Sequence, residues 1–268
     1  LECAVDYERR LMISKSHTLT HVINLALHRV LGEGVSQKGS LVDESKARFD
    51  FSHGKAMTVK QIKEVEGLVQ ASVRSSLPVH IETVPLDKAM EINNLRAVFG
   101  ERYPDPVRVV SIGPTVPELL ADPGNDEWSK FSIELCGGTH IPATDVMSEF
   151  ALVEESAVAK GVRRVVGVTG ALAAEASATG AALKERMATL ESLDLDKAAA
   201  ELVTENKNGC SALKLDLDQA TTSTHLKAQI RDQLGAREKL LAKRLKQLQS
   251  AGSDKLAAGA VAEAVEAA

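Results

Sequence analysis

From residue 16 to residue 34 the chain sets apolar positions at a helical period. Leu19, Val22, Ile23, Ala26 and Val30 fall in steps of one, three and four, which lays them along a single stripe. Ser16 suits the N-cap of such a helix, and Gly32 and Gly34 suit its end. The pattern then changes. VSQKGSLV (35–42) and KARFDFSH (46–53) read as extended segments, the second placing Phe49 and Phe51 on one face. Thr58 and Gln61 form a capping box ahead of a helix carrying Ile62, Val65 and Val69. PVHIETV reads as a strand, LDKAMEINNLRAVFG as a helix and PVRVVSIG as a strand. TVPELLADPGNDEWS, with its Pro, Gly, Asn and Asp, reads as a surface loop. KFSIEL leads into CGGTH, and EFALVEE with GVRRVVGVTG makes a last strand pair. Antiparallel strands mixed with helices, without regular βαβ alternation, predict an α+β fold.

Beyond about Ala171 no strand pattern survives. Leu226, Ile230, Leu234, Leu241, Leu245 and Leu248 keep spacings of three, four or seven, the seam of a helical hairpin or coiled coil and a route to self-association. The Ala-rich end, LAAGAVAEAVEAA, has little to pack with. The expected division is 1–12 as the end of a preceding domain, 13–172 as an α+β domain and 173–268 as a helical segment. The first residue is Leu, not Met, which suggests a piece of a longer chain.

Composition narrows the setting. With 268 residues, 44% of them apolar, the chain can bury a full core, and aromatics at 3% leave that core to aliphatic side chains. The net charge of −5 means a nucleic-acid partner would be held by local basic patches and not by bulk charge. Cys3, Cys136 and Cys210 are odd in number and far apart, so they form no disulfide framework and point to a reducing, cytoplasmic compartment. No apolar run approaches the roughly 20 residues that span a bilayer, and no signal-peptide pattern opens the chain.

The chemistry concentrates in two short stretches. His17 and His21 stand at i and i+4 on the predicted helix, on one side and one turn apart. Cys136 and His140 repeat that offset in CGGTH, where two glycines let the backbone curl so that both side chains point inward. A thiolate with three imidazoles suits tetrahedral zinc (Zn2+) better than a hard, oxygen-seeking cation. His28 shares nearly the same helix face but lies roughly 16 Å further along the axis, too far to join the ion. His53, His80 and His225 read as structural or surface histidines, His53 ending a strand that could border a pocket.

These stretches also carry a resemblance. RR at 9–10, HTLTH at 17–21, VSQKGSLV, RFDFSH at 48–53, RAVFGERYPDPVRVVSIG at 96–113, CGGTH and KGVRRVVGVTG at 160–170 closely resemble the editing domain of alanyl-tRNA synthetase and the free-standing trans-editing proteins related to it. The resemblance covers roughly residues 1–172, and the stretch after it looks like the helical segment that follows. The family usually reads NHTATH where this chain has SHTLTH, with Ser16 and Leu19 in place of Asn and Ala. The ATP-binding motifs of the aminoacylation core are absent from these residues.

The resemblance implies hydrolysis of the ester joining serine or glycine to the alanine tRNA, with His17, His21, Cys136 and His140 as zinc ligands. It also implies that Thr20 and Gln37 line the amino-acid pocket, holding the substrate while water attacks the ester carbonyl. The need is physical: a pocket sized for alanine cannot bar glycine and rejects an added hydroxyl only about a hundredfold. Arg9 and Arg10, then Lys160, Arg163 and Arg164, form basic clusters that suit the phosphates of the tRNA acceptor end. Arg237, Lys239, Lys243, Arg244 and Lys246 sit among the leucines of the seam as further candidates or as helix surface. Three other readings stay open: an editing domain of the threonyl-tRNA synthetase type, a non-catalytic tRNA-binding module that zinc only stabilises, and an oligomerisation fragment with the helical tail as its main function.

Overall fold

The computed structural model describes residues 2–98 and 100–266, with side chains described up to residue 250. Its first helix, α1, spans Tyr7–Leu31 and starts well ahead of Ser16. The side chain of Asp6 caps it by accepting from the backbone N–H of Arg9, and Ser16 lies buried inside it. Residues expected to trail from an earlier domain thus form the opening turns of the helix that carries His17 and His21. From Thr18 to Leu27 every residue of α1 is buried, so the apolar stripe is one of several covered faces.

Two antiparallel sheets follow. β1 (Gln37–Val42), β2 (Ala47–Ser52), β6 (Phe150–Ala159) and β7 (Val162–Thr169) form a sheet of order β1-β2-β7-β6. β3 (Val79–Val84), β4 (Val107–Ile112) and β5 (Ser132–Leu135) form the second, in that order. α2 (Val59–Arg74) begins at the capping box of Thr58 and Gln61. Leu19, Ile23 and Leu27 of α1 and Ile62, Val65 and Val69 of α2 bury against Phe49, Phe51, Leu152 and Val165 of the first sheet. A smaller core joins Val107 and Val109 of β4 and Ile133 and Leu135 of β5 to Val116 and Leu119. The architecture is α+β.

Two stretches differ from expectation, and in both the turn chemistry decides. LDKAMEINNLRAVFG is helical only over α3, Leu86–Met90. Asn94 then adopts φ 63°, and the amides of Asn93 and Asn94 donate to the carbonyls of Asn125 and Trp128, both at 3.3 Å. Beyond them Arg96 pairs with β5 through its own backbone: its N–H donates to Ile133 at 2.8 Å and its carbonyl accepts from Leu135 at 3.0 Å. Phe99, within the expected helix, lies outside the described residues. In the expected loop TVPELLADPGNDEWS, Thr115 and Glu118 cap each other across the start of α4, Val116–Ala121, and a 3-10 turn covers Asp126–Lys130. The Thr-x-x-Glu spacing with Pro117 near the helix start is a helix signal that outweighs the loop-like composition.

The chain divides into two compact units. One runs to Ser177 and also takes Thr222–His225; the other holds the remaining helical residues. In the first, the Thr222 hydroxyl donates to the Ala176 carbonyl at 2.7 Å and the Ser223 hydroxyl to buried Glu66 at 2.7 Å. His225 Nδ1 lies 3.1 Å from the same carboxylate, so this histidine is anchored and not plain helix surface. Three long helices make up most of the second unit: α5 (Gly170–Glu191), α6 (Ala200–Gln219) and α7 (Thr224–Glu266), of which α5 and α7 start within the residues of the first. Leu226, Ile230, Leu234, Leu241, Leu245 and Leu248 join Leu183, Met187, Val203, Leu213 and Leu217 in the core of the second unit. Arg237 is buried there and donates to the Leu193 carbonyl at 2.9 Å; Arg244 donates to that of Asp196 at 2.8 Å. The side-chain packing of the Ala-rich end lies outside the described residues. No described helix is long and apolar enough to cross a membrane.

Phe49, on β2, is fully buried in the core that the first sheet shares with α1 and α2. Phe49→Ala should therefore cost about 3–5 kcal/mol, read as a fall in the denaturant midpoint of the first unit. An unchanged midpoint would contradict this core.

Candidate metal centre

Helix geometry sets His17 and His21 one turn apart on α1, and the end of β5 delivers Cys136 and the loop to His140. The Cys136 N–H donates to the Arg108 carbonyl on β4 at 3.1 Å, extending the strand pairing by one residue. The guanidinium of Arg108 then closes the loop, with Nη1 donating to the carbonyls of Cys136 and Gly138 at 2.8 and 2.6 Å. One donor atom from each of His17, His21, Cys136 and His140 lies within 4.8 Å of the others. The His140 ring centroid is 4.4 Å from that of His17 and 4.7 Å from that of His21. His17 Nε2 is 3.4 Å from Cys136 Sγ. The loop packs so closely that a Cβ on Gly138 would sit 1.9 Å from a ring carbon of His17.

Hydrogen bonding fixes the form of His140. The Thr18 hydroxyl gives its single proton to the Ser14 carbonyl at 2.9 Å. Toward His140 Nδ1, at 3.2 Å, it can only accept, so Nδ1 carries the proton and Nε2 is a bare lone pair. That Nε2 is buried and has no hydrogen-bond partner, whereas the partnerless Nδ1 of His21 lies 3.5 Å from a Glu134 oxygen. Burial is the first cause of low basicity in these rings, and neighbouring imidazoles add to it: His21 is pushed down to about 3 and His140 to about 2. Burial lowers His17 as well and raises the Cys136 thiol. Neutral imidazoles with an unserved lone pair, facing a sulfur, form a donor set that fits a zinc ion. A cation in contact would also oppose the upward push on the thiol.

A cavity of about 350 Å³ opens beside these groups, its lining including His17, Thr20, His21, Cys136, Gln37, Arg96 and Glu134. Thr20 is buried and donates its hydroxyl proton to the His17 carbonyl at 2.7 Å. Gln37 is half-buried on β1, its amide 3.3 Å from the Ser40 hydroxyl. His28 lines the same cavity but stands outside the donor set. His53 packs beside Phe51, their rings 6.3 Å apart, and does not line the cavity.

The basic candidates do not line this cavity. Arg9 pairs with Glu44, and Arg9 and Arg10 border a separate hollow with Thr139 of the ligand loop. Arg163 is tied to Glu155 at 2.6 Å and Arg164 to both oxygens of Asp50 at 2.7 and 2.9 Å. Lys160 is exposed at the turn between β6 and β7. Sequence reasoning missed Asn24, Arg96 and Glu134. Asn24 had a signal, since it follows His21 by three on the helix; Glu134 had another, a lone charge in the apolar lead-in to Cys136.

The family described as the threonyl and alanyl tRNA synthetase second additional domain matches residues 107–166, from β4 to β7 and including Cys136 and His140. The mitochondrial alanine–tRNA ligase of Saccharomyces cerevisiae is 49% identical over 193 residues, covering 72% of this chain and 19% of that protein. The alanine–tRNA ligase of Candida albicans is 53% identical over 165 residues, or 62% of this chain and 17% of its own. The chain belongs with the alanyl-tRNA synthetase editing regions. A cytoplasmic alanine–tRNA ligase of Dictyostelium discoideum is 44% identical over 203 residues, 76% of this chain and 22% of that protein. The chain spans about a fifth of the length of these relatives.

The close approach of loop and helix gives this editing region a direct test. Gly138→Ala should push a methyl group into the His17 ring and deplete bound zinc, whereas Gly137→Ala, whose Cβ meets nothing within 4 Å, should retain it. Zinc per chain by elemental analysis checks the pair, and equal zinc in both variants would contradict the packing.

Proposed function

We propose that this region hydrolyses the ester of serine or glycine wrongly attached to the alanine tRNA, with zinc as its metal. The observation that carries the reading is the donor set of His17, His21, Cys136 and His140, the first three of which line a cavity also bordered by Thr20 and Gln37. When bound, zinc supplies a fixed positive charge and Lewis acidity beside the substrate ester. The volume suits an aminoacyl group at the end of a tRNA, and the rest of the tRNA would lie outside it.

Selectivity follows from one hydroxyl. Thr20 spends its proton on the His17 carbonyl, so toward the cavity it offers a lone pair. The serine hydroxyl can donate to that lone pair. Alanine presents a methyl group there and leaves the acceptor unserved, at a cost of about 1–3 kcal/mol. Glycine leaves room for a water molecule to donate in its place. Gln37, from β1, adds an amide able to donate or accept to the lining of the same cavity. Both residues hold and orient the substrate while water attacks the ester carbonyl.

The proposal extends to the partner and the setting. The acceptor end of tRNA is the partner, with Arg9, Arg10, Lys160, Arg163 and Arg164 as candidate phosphate contacts, and the helical segment a candidate for self-association. The compartment is the cytoplasm, as in the name of the Dictyostelium relative. The ATP-dependent ligase activity named for the relatives would belong to the parent protein.

Two measurements test the reading. Cys136→Ala should abolish deacylation of serine-charged alanine tRNA, and chelation of the wild-type metal should do the same while far-UV circular dichroism stays intact. Retained activity would defeat the proposal, and unfolding on chelation would favour a purely structural metal. Thr20→Val should slow removal of serine about tenfold or more, without a matching fall for alanine, in parallel deacylation assays. Equal effects on both esters would remove Thr20 from the specificity argument.

A further inference from the structure

Glu134 stands at the heart of this site without a role in the reaction outlined above. It is a carboxylate on β5, a strand buried at every position, and only 8% of its surface is exposed. An acceptor so buried is costly unless donors surround it. One oxygen, Oε1, accepts from the Asn24 amide at 3.0 Å and lies 3.4 Å from the Ser132 hydroxyl, whose one proton is shared between it and the His21 carbonyl at 3.3 Å. The other, Oε2, lies 3.5 Å from His21 Nδ1. Arg96 supplies opposite charge from the neighbouring segment, which backbone bonds pin alongside β5 at Ile133 and Leu135. The Nε and Nη1 of Arg96 are buried without hydrogen-bond partners of their own.

His21 provides the complementary need. Its ring is almost fully buried, and Nδ1 has no hydrogen-bond partner. A neutral imidazole carries one proton, on either nitrogen, and it ligates a metal through the other. A carboxyl oxygen with a free lone pair accepts, and the ring nitrogen that faces it, Nδ1, serves it by carrying the proton. Asn24, one turn beyond His21 on α1, holds that carboxylate at the correct height along the helix.

We propose that Glu134 is a positioning residue for the metal centre: it accepts from His21 Nδ1–H and so fixes the ring with Nε2 turned toward the ion, while Asn24 and Ser132 hold the carboxylate in place. This inference rests on the metal reading of the four-donor cluster. It adds a polar layer behind one ligand, the arrangement that orients histidine ligands and raises their basicity in metal sites generally.

Glutamine is the informative replacement. Its single carbonyl oxygen cannot serve both His21 and the Asn24 and Ser132 donors, and its NH2 group would face a donor on one side or the other. In the full chain, Glu134→Gln should weaken zinc binding roughly 10–100-fold in competition with a chromophoric chelator, and alter the visible absorption of the Co2+-substituted protein. Asn24→Ala should shift both readouts in the same direction by less, since the carboxylate stays but loses its tether. Wild-type zinc affinity and an unchanged Co2+ spectrum in Glu134→Gln would overturn the inference; should that variant misfold, the same result in Asn24→Ala would do so. His21→Ala separates the two levels of the argument. Zinc held by wild type, lost in His21→Ala and kept in Glu134→Gln leaves the metal centre standing and removes only the role of Glu134. Wild-type protein that takes up no zinc removes both.

Discussion

The site depends on how closely the loop after β5 can approach α1. Two histidines on a helix give only half a donor set, and the other half must come from backbone that reaches the helix surface. Gly138 permits this, because any side chain there would overlap the His17 ring. The approach is held open to no other geometry: Arg108 ties two carbonyls of the loop from β4, and the Thr18 hydroxyl bonds to both His140 and the Ile141 N–H. A loop of five residues thereby acquires the fixity of the sheet and helix it bridges, which is what precise placement of ligands demands.

Electrostatics in the site run against the chain as a whole. The protein is net negative, yet the cavity wall brings the cationic Arg96 close to Glu134, and burial keeps the histidine rings neutral. The arginines of the β6–β7 hairpin already have partners: Asp50 takes Arg164 through both oxygens, and Glu155 takes Arg163. A phosphate competing for either must match a charge-assisted bond that is already made. Lys160 and Arg10 carry no such commitment to an acidic side chain among the described residues, so the proposed electrostatic contact with tRNA would fall first to them.

Much of this was legible in the sequence, for reasons that are local. Alternation exposed β2, capping pairs exposed α2, and the doubled i, i+4 offset of His17–His21 and Cys136–His140 exposed the donor set. The failures are also local. The Thr115–Glu118 box of α4 was hidden among loop-forming residues, and α3 stops at Met90, followed by a turn in which Asn94 takes a positive φ, where periodicity alone would have continued the helix. Asn24 and Glu134 were harder to see, because they meet across 110 residues of sequence and only the fold places them together. Arg96 depends even more on tertiary structure: it reaches the site through a backbone pairing with β5 that no helical or strand pattern announces.

The two cores explain why such a polar cluster is tolerated. α1 is wrapped on all sides over its middle turns, and its apolar residues Leu19, Ile23 and Leu27 anchor it to the four-stranded sheet. That burial fixes the rotation of the helix about its axis. Thr20, His21 and Asn24 are then buried by necessity, and each polar atom must find a partner or a ligand. Thr20 and Asn24 find theirs in the His17 carbonyl and in Glu134. Left without a hydrogen-bond partner around the site are His140 Nε2, His21 Nδ1 beside Glu134, the Asn24 amide oxygen and Arg96 Nε and Nη1, and the first two belong to the ligand rings themselves. An apolar core that dictates where unsatisfied nitrogen lone pairs converge is a physical account of a metal site that needs no special pleading from the metal itself.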